Sequence, residues 1–170
     1  MKQIKTLLVA VALIFGMSNV ANAQSKVAHI ASQELVNIMP EYKAAMSELE
    51  KLQKTYDAEF KTMATELQNK VKIYTQEEKT KTQEENLKRA QEVQGIEKSV
   101  GEYRQKALKD LQTKEVELLK PVIEKARATV QKVARDKGYS YVLDSTTGTG
   151  VIMADGYDLM NDVKSALGIQ

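Results

Sequence analysis

The residues of this chain that could do chemistry are few, and their spacing argues against it. His29 is the only histidine, and there is no cysteine. A metal site needs several ligands converging on one ion. His29 falls on an expected strand with no acidic residue in sequence reach, so its expected role is structural. Asp144, Asp155 and Asp158 surround a Gly-rich turn and suit calcium by type. Their spacing departs from the Asp-x-Asp-x-Asp-Gly loop, and turn or cap roles fit them better. Gly148-Thr149-Gly150 lacks both the lysine and the following helix of a phosphate loop, and reads as a strand connector. Ser145, Thr146 and Thr147 have no evident base to activate them. The expectation is no catalytic residue, no metal and no cofactor, and a protein that is not an enzyme.

Contact chemistry remains. Tyr56, Phe60, Met63, Leu67 and Tyr74 place large, soft side chains at helical spacing. Two readings stay open. They fill a helix–helix seam, or some of them offer adaptable apolar contact to an unfolded partner.

The elements that carry these residues follow from periodicity. From Glu41 to Lys137 the chain is rich in Lys, Glu, Gln, Ala and Leu, all strong helix formers. Apolar residues recur in steps of three and four from Tyr42 to Tyr74. They resume at Leu87, Ala90, Val93, Ile96, Val100, Tyr103, Ala107 and Leu111, giving narrow stripes of the coiled-coil type. Between the stripes, "TQEEKTKTQEEN" (Thr75 to Asn86) has no apolar residue. It is read as holding the turn of an antiparallel hairpin, with a capping box at Thr75–Glu78. Val116, Leu119 and Ile123 widen the apolar face near the base, where Pro121 is expected to bend the helix. Gly138 is the expected helix stop.

The two ends of the chain read differently. Lys26–Ala31 is β-prone, and Ser32 is placed to cap a short helix over Gln33–Ile38. Tyr139–Asp144 and Val151–Ala154 read as a terminal hairpin, and Leu159–Leu167 as an amphipathic helix with Asp158 as its cap and Gly168 as its stop. The terminal hairpin is expected to pair with Lys26–Ala31 in one small sheet, with the helical hairpin inserted between. Three short strands have open edges, so several copies are expected to join their sheets into a closed barrel.

The first 23 residues carry Lys2 and Lys5, an apolar run from Leu7 to Phe15, and Ala21-Asn22-Ala23. This is the pattern of a secretory signal peptide cleaved after Ala23, and its core is too short to span a membrane. Cleavage removes two lysines and no acid, leaving 23 basic and 23 acidic residues in a neutral mature chain. That balance argues against nucleic acid as a partner. The expected organisation is residues 1–23 signal peptide, 24–40 N-terminal part of a β body, 41–137 helical arm and its base, and 138–170 C-terminal part of the body.

"KVAHIASQELVNIMPEYKAA", then a coiled coil, then "LLKPVIEKARATVQKVARDKGYSYVLDST" and "VIMADGYDLMNDVKSALG" resemble, in order, the Skp/OmpH-like periplasmic chaperones. The resemblance implies a mainly α fold with a small β body, three copies closing into a jellyfish-like trimeric β-barrel with helical tentacles. It also implies an ATP-independent holdase that keeps unfolded outer-membrane proteins from aggregating in the periplasm. Ile30, Tyr139, Tyr141, Leu143, Val151 and Met153 are the residues expected in the trimer body. Well-known members carry positive arm tips, and this mature chain is neutral, so contact with a membrane or lipopolysaccharide surface is assigned to no residue. The competing class is a structural coiled-coil envelope protein acting as a spacer or docking surface.

Overall fold

The structure, a computed structural model, describes residues 25–169. The expected signal peptide and its cleavage site lie outside them. Strand β1 (Val27–Ile30) leads into the short helix α1 (Ser32–Ile38). Met39 then stands extended at φ −63° and ψ 131°, the region that a following proline favours. Pro40 begins α2 (Pro40–Glu77) at a position where its missing N–H leaves no bond unmade. A 3-10 turn (Glu78–Thr80) and the extended Lys81 reverse the chain, and α3 (Gln83–Asp136) runs back. Strands β2 (Tyr141–Asp144) and β3 (Tyr157–Asp158) and helix α4 (Met160–Leu167) complete a mainly helical chain with one small three-stranded sheet.

Cross-helix pairs fix the direction of the long helices. Glu41 meets Lys125, Glu48 meets Lys114, Tyr56 meets Asp110, Lys70 meets Glu92 and Glu77 meets Arg89. One number rises as the other falls, so α2 and α3 are antiparallel. At 1.5 Å per residue, α2 is roughly 57 Å long.

The reversal lies within Thr75–Asn86, but its cap is not where the sequence pattern put it. Thr75 is inside α2, its hydroxyl donating to the Val71 carbonyl at 2.8 Å. The capping box forms at Thr82 and Glu85 instead. Thr82 is extended, accepts from the Glu85 N–H at 3.2 Å, and gives its own N–H to Glu85 Oε2 at 3.0 Å. Both Thr-x-x-Glu matches satisfy the motif, and only Thr82 follows a residue that has left the helix. Pro121 sits inside α3 without ending it. At the far end, Gly138 turns left-handed (φ 76°), and the N–H groups of Gly138 and Tyr139 close on the carbonyls of Arg135 and Ala134 at 3.0 and 2.9 Å.

The sheet differs from the expected hairpin. Its order is β2-β1-β3 and both pairings are parallel: Val27 to Ile30 lie beside Tyr141 to Asp144, and Ala28 and His29 beside Tyr157 and Asp158. β2 and β3 therefore do not pair with each other. Val151–Ala154 is not a strand, and the connection 145–156 crosses from the end of β2 to the start of β3. The reason is geometric. β1 takes the middle place, and its neighbours on either side run the same way, so no tight turn can join them.

The core lies against one face of this sheet. Ala28 and Ile30 of β1 pack with Leu35 of α1, Met39, the α3 base (Val122, Ala126, Val133, Ala134), and Leu159 and Val163 at α4. Val142 packs against the same cluster. Ser32 does not cap α1 with its own side chain. The cap residue is Ala31, and Asp144 supplies the missing acceptor.

Candidate functional site

Two surfaces stand out, one on the body and one on the arms. Side chains alternate along a strand. With Ala28, Ile30 and Val142 turned to the core, Val27, His29, Tyr141 and Leu143 share the other face. Among the described residues no helix covers that face. Tyr141 is 61% exposed and Leu143 46%, and the nearby connection holds Ile152 fully exposed and Met153 75% exposed. Of the residues expected in a trimer body, Tyr141 and Leu143 stand on this open face. Val151 and Met153 lie in the unpaired connection. Ile30 and Tyr139 belong instead to the chain's own core or pack against it.

A polar hub holds the edge of this face. Asp144 Oδ1 accepts from the Ser32 N–H (3.2 Å), the Thr146 N–H (3.0 Å) and the Thr146 hydroxyl (2.6 Å), and Oδ2 accepts from the Ser32 hydroxyl. Partial burial works against the charge, but these donors outweigh it and hold the carboxyl at about 2. His29 bridges the connection's two ends, with Nδ1 3.2 Å from Ser145 Oγ and Nε2 3.2 Å from the Gly156 carbonyl. A carbonyl only accepts, so the partners assign the proton to Nε2 and leave Nδ1 to accept from Ser145. His29 is thus a structural clip. Among the described residues no group of His, Cys, Asp and Glu is placed to hold a metal ion.

On the arms, Tyr56, Phe60, Met63, Leu67 and Tyr74 are all half-buried on one stripe of α2. The tyrosines of this stripe reach across to α3. The Tyr56 ring packs edge-on against Tyr103 at 6.1 Å, and its hydroxyl donates to Asp110 at 3.1 Å. Tyr74 donates to Glu92 at 2.6 Å beneath the Arg89 guanidinium, 4.5 Å above its ring. Tyr103 donates to Glu59. Desolvation first, and then the Glu59 carboxylate, push the Tyr103 phenol up to about 12. The sequence reading did not find this ladder of phenol–carboxylate bonds, although tyrosines within an apolar stripe facing Asp and Glu are its signal.

The seam is thin. No residue of α2 beyond Leu49, and none of α3 before Ala107, is fully buried. Near the tip the stripe departs from the apolar count: Asn86 and Arg89 occupy the half-buried positions, while Leu87 is exposed. Asn86 donates to the Glu78 carbonyl at 2.9 Å, and Arg89 pairs with Glu77 at 2.6 Å. Large apolar side chains open to solvent on the arms sit at the base (Met46, Val116, Ile123), about midway (Leu108) and near the tip (Val71, Ile73, Leu87).

Among the described residues no helix is long and apolar enough to cross a membrane. The fold is shared with the crystal structure of an OmpH-like protein from Caulobacter crescentus CB15, provisionally described as an outer membrane chaperone. The TM-score is 0.73 at 22% identity, with 86% of each chain covered. The chain finds no match among curated proteins. The model of the OmpH-like outer membrane protein family matches residues 26–167, which is nearly all of the sheet, arms and terminal helix described above. The chain belongs to the OmpH-like outer membrane protein family.

Proposed function

We propose that this protein is an exported, ATP-independent holdase chaperone of the periplasm that keeps unfolded outer-membrane proteins soluble. Residues 24–40 and 138–170 form its body, and residues 41–137 its arm and base. Three copies associate through their bodies, and their arms enclose the client. The observation that carries this reading is the bare apolar face of the sheet beside two helices that project far beyond the core. The uncovered face leaves Tyr141 and Leu143 open to water, and apolar exposure of this kind marks an association surface. Turning the Tyr141 and Leu143 faces of three copies inward buries them and holds the arms side by side.

The stripe residues Tyr56, Phe60, Met63, Leu67 and Tyr74 are partly occupied by the seam. They reach a client only at their exposed edges. The exposed residues from the arm base to its middle, Met46, Val116, Ile123 and Leu108, offer freer apolar surface. Many weak contacts of this kind retain an unfolded chain and release it by mass action, without nucleotide.

Diluting a urea-unfolded outer-membrane β-barrel into the protein and following light scattering tests the proposal. A holdase suppresses aggregation in proportion to the protein added and needs no ATP. A spacer leaves aggregation unchanged, and that result overturns the reading.

A further inference from the structure

We infer that His29 makes the assembly of this chain acid-labile: copies joined through the open sheet face at neutral pH separate as the imidazole takes a proton. This rests on the trimer reading above and names what regulates it. The chain has one histidine and no cysteine. An imidazole is the side chain that ordinarily changes charge between about pH 5 and 8. Its place in the fold gives that charge a consequence. His29 is on β1, the middle strand, and its register partners are Leu143 of β2 and Asp158 of β3. The half-buried ring therefore stands on the open face, with Leu143 beside it and Tyr141 and Val27 next along the strands.

The single chain tolerates either charge state of this ring. Nδ1 and Nε2 each make one bond, to Ser145 and to the Gly156 carbonyl, both at 3.2 Å. Protonation leaves this clip in place, because the Ser145 hydroxyl can turn and accept from Nδ1–H. The charged groups nearby are mostly acids. Asp158 is the neighbour across β3, its Oδ1 accepting from the Met160 N–H at 2.8 Å. Asp155 adjoins Gly156, and Asp144 adjoins Ser145 with its carboxylate held by Ser32 and Thr146. The cation before β1, Lys26, is exposed and three residues away. Tyr157, the partner of buried Ala28, turns to the other face, where it meets Lys137 and Asp162. A charged ring in one chain thus has acids beside it and water within reach.

Assembly changes that balance. Closing the open faces of three copies takes water from His29 and sets it among Tyr141 and Leu143 side chains. Rotational symmetry gives every copy the same role, so three imidazoles enter one interface. Charging them adds mutual repulsion to lost hydration. The ring is then harder to protonate in the assembly than in the free chain. Assembly is strongest above the pH at which the free ring charges, and it weakens as pH falls. One unit below that point, each copy gives up its proton at about a tenfold cost. For three copies this is about a thousandfold in the association constant, and about thirtyfold in the chain concentration needed for half assembly.

Light scattering over a dilution series of the mature protein, at pH 7.5 and pH 5.5, tests the switch. The half-assembly concentration should rise at least about tenfold at the lower pH. His29→Gln keeps a donor and an acceptor and takes no proton, so its half-assembly concentration should change less than about twofold. A wild type that assembles equally at both pH values, or a glutamine variant that weakens as much as wild type, overturns the switch and leaves the trimer standing. A second readout needs no variant. The lone histidine gives one set of imidazole C–H signals in a nuclear magnetic resonance titration, and these should move to the charged position in step with the loss of mass. A ring that charges while the mass stays that of three chains overturns the switch. A monomer at every concentration at pH 7.5 overturns both the switch and the trimer.

Discussion

Replacing Asp144 by alanine removes four hydrogen bonds that tie the end of β2 to the start of α1 and to the connection. At a net of roughly 0.5–1.5 kcal/mol each, the upper bound is about 6 kcal/mol. Asp144 is open to solvent, so water takes over part of the loss. The nearest comparable change, loss of a helix N-cap, costs about 0.5–2 kcal/mol. We expect about 2 kcal/mol for Asp144→Ala at neutral pH and about half that for Asp144→Asn, which keeps an acceptor and loses the charge. The charge also sets a pH window. Burial opposes ionisation, but the Ser32 and Thr146 donors hold the carboxyl at about 2, against 3.8 ordinarily. A depressed carboxyl contributes stability above its unfolded value, and that contribution drains away as pH falls from about 4 to about 2. The gap between wild type and Asp144→Asn should therefore close across that range. Urea titrations followed by far-UV circular dichroism, at one fixed chain concentration because assembly couples to stability, measure both effects. An alanine variant as stable as wild type, or a gap to asparagine that persists to pH 2, refutes the hub.

The uncovered sheet face predicts that Tyr141→Asp or Leu143→Asp yields folded monomers by light scattering, since both side chains are exposed in the single chain. If the proposed assembly holds, deleting Val71 to Ala90 should leave a trimer, because in that assembly the body and not the tip joins the copies. Tyr103, with its phenol at about 12, should ionise last in an alkaline absorbance titration, and Tyr103→Phe should abolish that late component. Its raised value also makes the fold lose stability as pH climbs above 10. Leu108→Ser with Val116→Ser should weaken client binding in a fluorescence titration by more than Phe60→Leu does. Raising salt from about 50 mM to about 500 mM should change client affinity less than about threefold, because screening weakens charge attraction and not apolar contact.

The arms were legible in the sequence because a 3.6-residue apolar period survives even where burial is only partial. Tyr42 to Tyr74 falls on one stripe, and the polar gap after it holds the turn. The same count failed at Leu87 and Ala90, where Arg89 closes the seam by stacking on Tyr74 and pairing with Glu77. Apolar periodicity cannot register a contact made by a guanidinium. Lys26–Ala31 was rightly joined to Tyr139–Asp144, but the hairpin was not there. Val151–Ala154 has better strand residues than Tyr157–Asp158, yet the shorter pair docks on β1 because the connection places it there. Strand composition records what a segment can do, and the partner decides whether it does. The hub at Asp144 was half visible: a turn or cap role was expected, but the helix it caps begins 112 residues earlier. Local spacing carries no signal for that.

The central claim is that three copies of this chain hold one unfolded client without chemistry. Light-scattering mass of the mature protein, mixed with a urea-unfolded outer-membrane barrel and separated by size, tests it directly. The account predicts a soluble, nucleotide-free complex with the mass of three chains and a client. A free monomer eluting beside aggregated client contradicts it.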